Sequence, residues 1–260
     1  MKRTAMAFAA LMTVAVPLAA QDFSWSGRVA AGKGIEIKGV NGWVRAEAAS
    51  GDEIQVTAVK RGRDDDPADV KIEVVEHGGG VTICAVYPTP RHARHENECA
   101  PGSGGHMSTE DNDVKVDFTV KVPAGVRFTG YTVNGDVEAD GLGADVDIAT
   151  VNGDVEVSTR GQAEASTVNG SIVVRMGRAD WTGDLRFHTV NGGITVYVPT
   201  DFSAEIEAET VNGDIETEFP LTVSGRFGMR RIRGTVGQGG RTLELETVNG
   251  SIRLRKEGST

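Results

Sequence analysis

The segment Thr150-Val151-Asn152-Gly153-Asp154-Val155-Glu156-Val157 is the clearest copy of a phrase that recurs along the chain. Thr-Val-Asn-Gly, one short residue and then Val or Ile occur together six times, and an imperfect copy, Gly39–Val44, precedes them. The asparagines of the six copies are separated by 18, 17, 22, 21 and 37 residues. A repeat at this spacing predicts stacked supersecondary units. The long last step predicts a unit within residues 220–240 that has lost its motif.

The aliphatic residues on either side of Asn-Gly fall on opposite parities. From Ala208 to Ile215 is an odd step of seven residues, so one uninterrupted strand would turn one of the two sets toward water. The chain is therefore expected to turn at Asn-Gly, with the left-handed backbone that glycine adopts readily. The predicted structural turns are Asn134, Gly135, Asn152, Gly153, Asn169, Gly170, Asn191, Gly192, Asn212, Gly213, Asn249 and Gly250.

Two all-β architectures fit units of two short strands and two corners. In a β-solenoid, a parallel β-helix-like fold, each unit is one coil, and equivalent residues stack about 4.8 Å apart on successive strands. In an antiparallel β-meander each Asn-Gly closes a hairpin, and Thr210 pairs with Ile215. Stacking of each Thr, Val and Asn on its own copies favours the solenoid, because it explains why the same residues return so strictly.

The array resembles the bacterial putative-adhesin family, exported β-strand-repeat proteins of unknown function with Thr-Val-Asn-Gly-Asp repeats. The resemblance rests on copies such as Thr150–Val157 and covers Gly34–Arg255, with an interruption at residues 61–112. It implies a β-solenoid and a role at the cell surface or envelope.

The N-terminus has the layout of a secretory signal peptide. Lys2 and Arg3 precede an apolar run that ends in Pro17-Leu18-Ala19-Ala20, and the run is too short to cross a bilayer. Cleavage is predicted after residue 20, which makes the protein periplasmic, cell-surface or secreted. Residues 21–260 are then expected to form a single β-repeat domain. Its parts are divergent N-terminal coils (21–87), an irregular insertion (88–112), the repeat array (113–255) and a polar tail (256–260).

The charge of the chain limits its partners. Its formal net charge is −10, which argues against nucleic acid and anionic membrane surfaces. No transmembrane segment is expected in the mature chain. The expected partner is a protein or glycan at the cell envelope. The array ends at Ile252–Leu254 before a charged tail, so self-association is expected to run through this C-terminal coil.

Cys84 and Cys99 are the two cysteines of the chain. In an exported protein such a pair predicts a disulfide. The loop between them carries His92 and His95, which with nearby His106, Glu96 and Glu98 have the composition of a zinc site. The spacing supplies neither a helix nor a second close pair of ligands. A solvated loop is therefore the preferred interpretation, and neither a metal nor a cofactor is predicted.

The carboxylates after Asn-Gly are the remaining candidates for chemistry. Asp136, Asp154 and Asp214 would lie in one column, but Ser171, Gly193 and Ser251 interrupt it, which weakens a calcium interpretation. As the acids of a carbohydrate-active β-helix enzyme, a polysaccharide lyase or hydrolase, Asp136 and Asp154 would act with Arg160 or Arg175. Because acidic residues recur in nearly every unit, no catalytic residue is predicted.

The arginines in the degenerate repeat are Arg226, Arg230, Arg231 and Arg233. They are interpreted as a solvated face in preference to an anion-binding patch. The sequence thus favours a non-enzymatic structural or binding module, adhesin-like, that presents a repetitive acidic β-solenoid surface to an envelope or extracellular partner. The carbohydrate-active enzyme is the alternative.

Overall fold

The structure, a computed structural model, describes residues 23–178, 180–181, 183–223 and 230–258. The predicted signal peptide, residues 1–20, and the predicted first mature residue, Gln21, lie outside these ranges. The described residues form β-strands joined by turns and loops, with one short 3-10 helix at Pro67–Asp69. None of them belongs to a helix with the length and apolarity that a membrane crossing needs. The prediction of an all-β chain is confirmed.

The strands are numbered in chain order. They are β1 (Phe23–Gly27), β2 (Gly34–Lys38), β3 (Val44–Ala48), β4 (Ile54–Arg61), β5 (Lys71–His77), β6 (Gly80–Val86), β7 (Lys115–Val122), β8 (Arg127–Tyr131), β9 (Val137–Leu142), β10 (Val146–Ala149), β11 (Val155–Thr159), β12 (Ala163–Ser166), β13 (Ile172–Met176), β14 (Asp184–His188), β15 (Ile194–Val198), β16 (Ala204–Asn212), β17 (Ile215–Thr217), β18 (Thr222–Val223), β19 (Arg231–Val236), β20 (Thr242–Asn249) and β21 (Ile252–Lys256).

These strands form two long sheets. The first sheet has the order β1-β4-β7-β3-β9-β11-β13-β15-β21-β17, and the second has the order β18-β19-β16-β20-β14-β12-β10-β8-β2-β6-β5. In the repeat array each unit contributes one strand to the second sheet and the next strand to the first. The Asn-Gly segment connects the two, so the predicted turn lies where the chain passes between sheets.

Equivalent strands of successive units pair in parallel and in register. Val155 in β11 lies beside Val137 in β9 and Ile172 in β13. Within the described array, Thr210 lies beside Thr247 and Ile215 beside Ile252, so Asn-Gly closes no hairpin there. The antiparallel meander is therefore wrong for the array.

The last two units of the array are stacked out of sequence order. β20 lies between β14 and β16, and β21 lies between β15 and β17, so the Asn249 unit is inserted between the Asn191 and Asn212 units. The described residues between them form β18 and β19, which pair antiparallel at the edge of the second sheet. The expectation of a lost parallel unit in residues 220–240 is therefore wrong.

This order also corrects the prediction about self-association. The C-terminal strand β21 has a paired neighbour on both sides, and Leu254 is buried. An interior strand offers no free backbone edge to a partner. The edge strand of the first sheet at this end is β17, so strand addition at Ile252–Leu254, the expected basis of self-association, is wrong.

The opposite end of the sheets contains antiparallel strands. β7 pairs antiparallel with β4 and β4 with β1, while β5 and β6 form a hairpin at the end of the second sheet. The imperfect copy of the motif joins the ladder here, because Asn41 forms a bridge with Asn134. Between β6 and β7 the chain forms no strand, and one isolated bridge joins Glu98 to His106.

The core lies between the two sheets and is built from alternate residues of each strand. Ile148 of the second sheet and Val157 of the first are both fully buried. An aliphatic side chain buried in this way contributes about 1.5–3 kcal/mol to folding. Near the Asn212 end, aromatic rings fill the space, with centroids 5.8 Å apart for Trp181 and Phe202 and 5.4 Å apart for Phe202 and Phe219.

Candidate functional site

The asparagines of the motif form one continuous hydrogen-bonded ladder along the molecule. Each Nδ2 donates to the Oδ1 of the neighbouring asparagine at 2.8 Å. The order of the ladder is Asn41, Asn134, Asn152, Asn169, Asn191, Asn249 and Asn212. These side chains satisfy one another and stabilise the stacking of units, so they serve the fold.

The glycines of the motif are required by close approach of the backbone. A Cβ on Gly153 would lie 2.1 Å from the carbonyl oxygen of Gly135, and a Cβ on Gly170 would lie 1.9 Å from that of Gly153. The predicted left-handed backbone is wrong for most copies, because φ is positive only at Gly42 and Gly192 among them, and Gly192, at 158°, is nearly extended. The chain turns between sheets without reversing, so it needs no hairpin dihedrals.

The carboxylates after Asn-Gly hold the backbone. Asp136 Oδ1 accepts from the backbone N–H of Asp154 at 2.9 Å, and Asp154 Oδ1 accepts from that of Ser171 at 2.7 Å. Arg175 contacts Glu156 and the ring of Tyr197. Three of the residues named for the enzyme alternative, Asp136, Asp154 and Arg175, are thus used in turns and surface contacts.

The insertion is anchored by the disulfide and by an asparagine that the sequence did not single out. Cys84 and Cys99 are joined, with their Cα atoms 5.7 Å apart. Asn97 Nδ2 donates to the carbonyl oxygens of Tyr87 at 3.0 Å and Ser108 at 2.8 Å, which ties the two ends of the loop together.

The histidines of the insertion do not form a metal centre with its carboxylates. The rings of His95 and His106 lie edge to face with centroids 5.8 Å apart. Across the described ranges, no group of three or more His, Cys, Asp or Glu side chains is arranged to hold a metal ion.

The insertion folds against the outer face of the second sheet. Lys38 Nζ donates to the carbonyl oxygens of Ala100 at 2.6 Å and Gly104 at 3.3 Å. Glu36 Oε2 accepts from Thr82 Oγ1 at 2.7 Å and from the backbone N–H of Gly102 at 3.1 Å. The loop and the sheet together line a cleft, which we call the acidic cleft.

The acidic cleft has a volume of about 360 Å³. Its polar lining consists of Glu36, His77, Arg127, Thr129, Asp145, Asp147, Gln162 and Glu164. Glu36, Thr129, Asp147 and Glu164 occupy equivalent positions on the successive strands β2, β8, β10 and β12. Parallel stacking therefore collects carboxylates from separate units into one row.

The charged forms of the two central carboxylates of the cleft, Asp147 and Glu164, are electrostatically unfavourable. Partial burial raises the pKa of Asp147, and the charge of Glu36 raises it further, while a hydrogen bond from Tyr131 Oη at 2.8 Å opposes the change. Partial burial also raises the pKa of Glu164, and the charge of Asp147 adds to this, while the charge of Arg186 opposes it. Both side chains still reach solvent, so a cation entering the cleft would contact them directly.

Three arginines elsewhere on the same face are paired with glutamates. Arg186 contacts Glu244 at 2.7 Å, and Arg231 and Arg233 contact Glu209 at 2.8 Å and Glu207 at 2.6 Å. Two of the four predicted surface arginines are thus neutralised by glutamates, Arg230 is exposed, and Arg226 lies outside the described residues. Within the described ranges, Asp147 and Glu164 have no cation within 4.0 Å.

The sequence contains a signal for this row that the repeat alignment could have revealed. Thr129, Asp147 and Glu164 each lie three residues before the threonine of their own motif. Each faces outward between two inward residues, so each appears as an ordinary solvated strand position. The row becomes visible only when successive units are aligned in parallel register.

The profile of the Toastrack DUF4097 family matches residues 102–255 of the chain. The protein belongs to the Toastrack DUF4097 family. The match contains the repeat array and the strands β8 to β12 that carry most of the acidic cleft. The resemblance to the putative-adhesin family of β-repeat proteins is confirmed. No curated protein matches the chain.

Solved structures similar to this Toastrack chain include three bacterial proteins. A "putative cell adhesion protein" from Clostridium sporogenes is 12% identical with a TM-score of 0.45, covering 91% of this chain and 100% of that one. A "putative adhesin" from Bacteroides fragilis is 12% identical with a TM-score of 0.24, covering 90% and 97%. A "putative adhesin" from Parabacteroides distasonis is 11% identical with a TM-score of 0.22, also covering 90% and 97%.

Proposed function

We propose that this Toastrack protein is an exported, adhesin-like binding module whose ligand site is the acidic cleft. The observation that carries the proposal is the contrast on the outer face of the second sheet. Asp147 and Glu164 lack a cation within 4.0 Å, whereas Glu207, Glu209 and Glu244 each contact an arginine. Unpaired carboxylates with raised pKa values in a cleft are typical of binding sites.

The chemistry of the cleft favours a ligand with a positive charge and hydroxyl groups. An amine close to Asp147 and Glu164 would form charge-assisted hydrogen bonds, and Thr129 and Gln162 supply neutral hydrogen-bonding groups in the same lining. A volume of about 360 Å³ is at the small end of ligand pockets. We therefore propose an envelope glycan that carries free amino groups.

The architecture and location of the protein form part of the same proposal. We infer a β-solenoid, because units alternate between two sheets and pair in parallel. One β-repeat domain over residues 21–260, preceded by a cleaved signal peptide, accounts for these sheets. The Cys84–Cys99 disulfide supports export to an oxidising compartment.

Calorimetric titration with short glucosamine oligomers tests the ligand class. N-acetylated oligomers of equal length are the control ligand, since they lack the amino charge. The double variant Asp147→Asn/Glu164→Gln keeps the shape of the cleft and removes both charges. Glu138→Gln, on the first sheet beside Arg45, is the matched control variant.

Glucosamine oligomers should bind the wild-type protein and Glu138→Gln more tightly than the N-acetylated oligomers. The double variant should lose at least about tenfold in affinity, the order expected for lost charged hydrogen bonds. Equal affinity for both ligands, or unchanged binding by the double variant, would contradict the proposal.

A carbohydrate-active enzyme is the second candidate function. Its carboxylates would be Asp147 and Glu164 in place of Asp136 and Asp154. Asp147 and Glu164 lie side by side on neighbouring parallel strands, and adjacent strands are about 4.8 Å apart. Retaining glycosidases hold their two carboxyl groups about 5–5.5 Å apart, and the acid has a raised pKa. Release of new reducing ends from a glucosamine polymer, abolished by Glu164→Gln, would favour this candidate over a binding module.

A further inference from the structure

Every motif of the ladder contains a chemically labile pair. In an Asn-Gly sequence the backbone nitrogen of glycine attacks the asparagine Cγ, closing a five-membered succinimide and releasing the side-chain nitrogen as ammonia. Water then opens the ring to aspartate or isoaspartate. Glycine promotes the attack because it has no side chain to hinder it and its backbone is unusually free. The chain contains seven such pairs.

Six of the seven glycine amides are occupied by the ladder. Each donates to the carbonyl oxygen of the asparagine in the next unit, at 2.9–3.0 Å. The donors are Gly42, Gly135, Gly153, Gly170, Gly192 and Gly250. Attack by one of these nitrogens requires that its hydrogen bond break and that the local backbone leave its stacked position.

The pair Asn212-Gly213 is the exception. It belongs to the last unit of the stack, where β17 has a neighbour only on the side of β21. Among the described residues, the amide of Gly213 has no acceptor. The Asn212 side chain makes one ladder hydrogen bond, to Asn249, whereas Asn249 makes two.

Solvent exposure does not separate Asn212 from the other asparagines. Asn134, Asn152, Asn169 and Asn191 are also exposed. A difference in reactivity between these sites would therefore report the hydrogen bonding of the following glycine.

We infer that Asn212 is a site of spontaneous deamidation in the folded protein, and that the ladder protects the other six Asn-Gly pairs. The reaction consumes one water and releases one ammonia. It replaces the Nδ2 donor to Asn249 with a carboxylate oxygen, so the open end of the ladder loses its last side-chain hydrogen bond and gains a negative charge. Modification thereby weakens the outermost unit and makes that end more acidic.

Peptide mapping by mass spectrometry after incubation at mildly alkaline pH tests the inference. The peptide that contains Asn212 should gain about 1 Da, with both aspartate and isoaspartate forms separated by chromatography. It should react at least about tenfold faster than the other six sites, the order expected when one backbone hydrogen bond must break. In the reduced, denatured chain all seven sites should react at similar rates.

The variant Asn212→Ser identifies which hydrogen bond protects an Asn-Gly pair from deamidation. It leaves Asn249 with a single side-chain ladder bond but preserves the backbone acceptor of Gly250, the carbonyl of residue 212. Asn249 should remain intact if the glycine amide decides reactivity. Deamidation of Asn249 in this variant would overturn the inference, as would equal rates at all seven sites of the folded wild-type protein, or an unreactive Asn212.

Discussion

Each residue of Thr-Val-Asn-Gly has a separate structural task. The threonine is buried, and its hydroxyl donates to a glycine carbonyl of the neighbouring unit, as Thr150 does to Gly135 at 2.9 Å. The asparagine extends the side-chain ladder, and the glycine permits close contact between backbones. The valine points outward, and Val151 is 38% exposed. The phrase repeats strictly because three of its four positions contact the same phrase in the neighbouring unit.

Replacing Gly153 with Ala should destabilise the protein. The new Cβ would lie 2.1 Å from the carbonyl oxygen of Gly135, so the stack must separate locally. Overpacking of this kind typically costs about 1–3 kcal/mol. Chemical denaturation measures the loss, with Gly51→Ala as control, because a Cβ on Gly51 meets no atom within 4 Å. Equal stability of the two variants would show that Gly153 is not under this constraint.

The acidic cleft should impose a pH dependence on stability. Since the folded state raises the pKa of Asp147 and Glu164, the folded chain binds their protons more tightly than the unfolded chain. Their contribution is most favourable below the ordinary carboxyl pKa of about 4 and is lost as pH rises through the raised values. Asp147→Asn/Glu164→Gln should therefore melt at a higher temperature than wild type at pH 7.

The advantage of this double variant should disappear in acid, where the wild-type carboxyls are themselves neutral. The effect is expected to be small, because both side chains reach solvent. Melting curves at several pH values measure it. A double variant that is less stable than wild type at neutral pH would contradict the account of the cleft.

At the scale of elements, strand position decides the effect of a substitution. Leu254 lies in β21 between β15 and β17, and it is 2% exposed. Replacing it with Lys removes an apolar side chain from the core and places a charge there. Loss of the buried leucine alone costs about 2–5 kcal/mol. Thermal unfolding should show a strongly destabilised monomer, whereas Arg253→Lys, on the outward face of the same strand, should change little.

An edge role for β21 would give the opposite pattern. Leu254→Lys would then weaken association between copies while leaving the stability of the monomer unchanged. Sedimentation measured alongside thermal unfolding separates the two cases.

The parallel pairing of the array was predictable from the sequence because it follows from repetition and parity. Identical residues at equivalent positions, as in Asn152 and Asn169, have reason to recur only if they are neighbours. The inverted order of the last two units was not predictable. The Asn212 and Asn249 copies carry the same motif, so nothing in their residues distinguishes an inner unit from an outer one.

The acidic cleft was hidden for a related reason. Its carboxylates come from separate units, and Gly102 of the insertion completes its lining. The path of the insertion depends on contacts such as that of Lys38 with Ala100. Local patterns contain no information about such a path. The disulfide was easier to predict, because a chain with two cysteines allows one pairing.

At the scale of the whole molecule, the stacking of units determines how charged side chains are distributed over the sheets. Repetition places equivalent residues in rows along the sheets. Neighbouring charges in a row are either opposite and form an ion pair, as Arg45 does with Glu138, or alike and unpaired. The acidic cleft is where carboxylates accumulate at the junction of the array and the insertion. The negative charge of the chain, −10 in total, is therefore unevenly distributed over its surface.

The central claim is the parallel stack with the Asn249 unit inside it, and the distance between spin labels tests it most directly. Val133, Val211 and Val248 mark three units of the ladder, and the native cysteines are joined in the disulfide. Cysteines introduced at positions 133 and 211, or at 133 and 248, would carry spin labels. Pulsed electron paramagnetic resonance would then measure the distance between the two labels.

With a strand spacing of about 4.8 Å, the structure predicts about 24 Å between positions 133 and 211 and about 19 Å between positions 133 and 248. The pair that is farther apart in sequence should thus be closer in space. A longer distance for 133–248 than for 133–211 would contradict the order of the stack. Distances near twice these values would contradict parallel coils altogether, since a meander separates equivalent turns by two strand spacings.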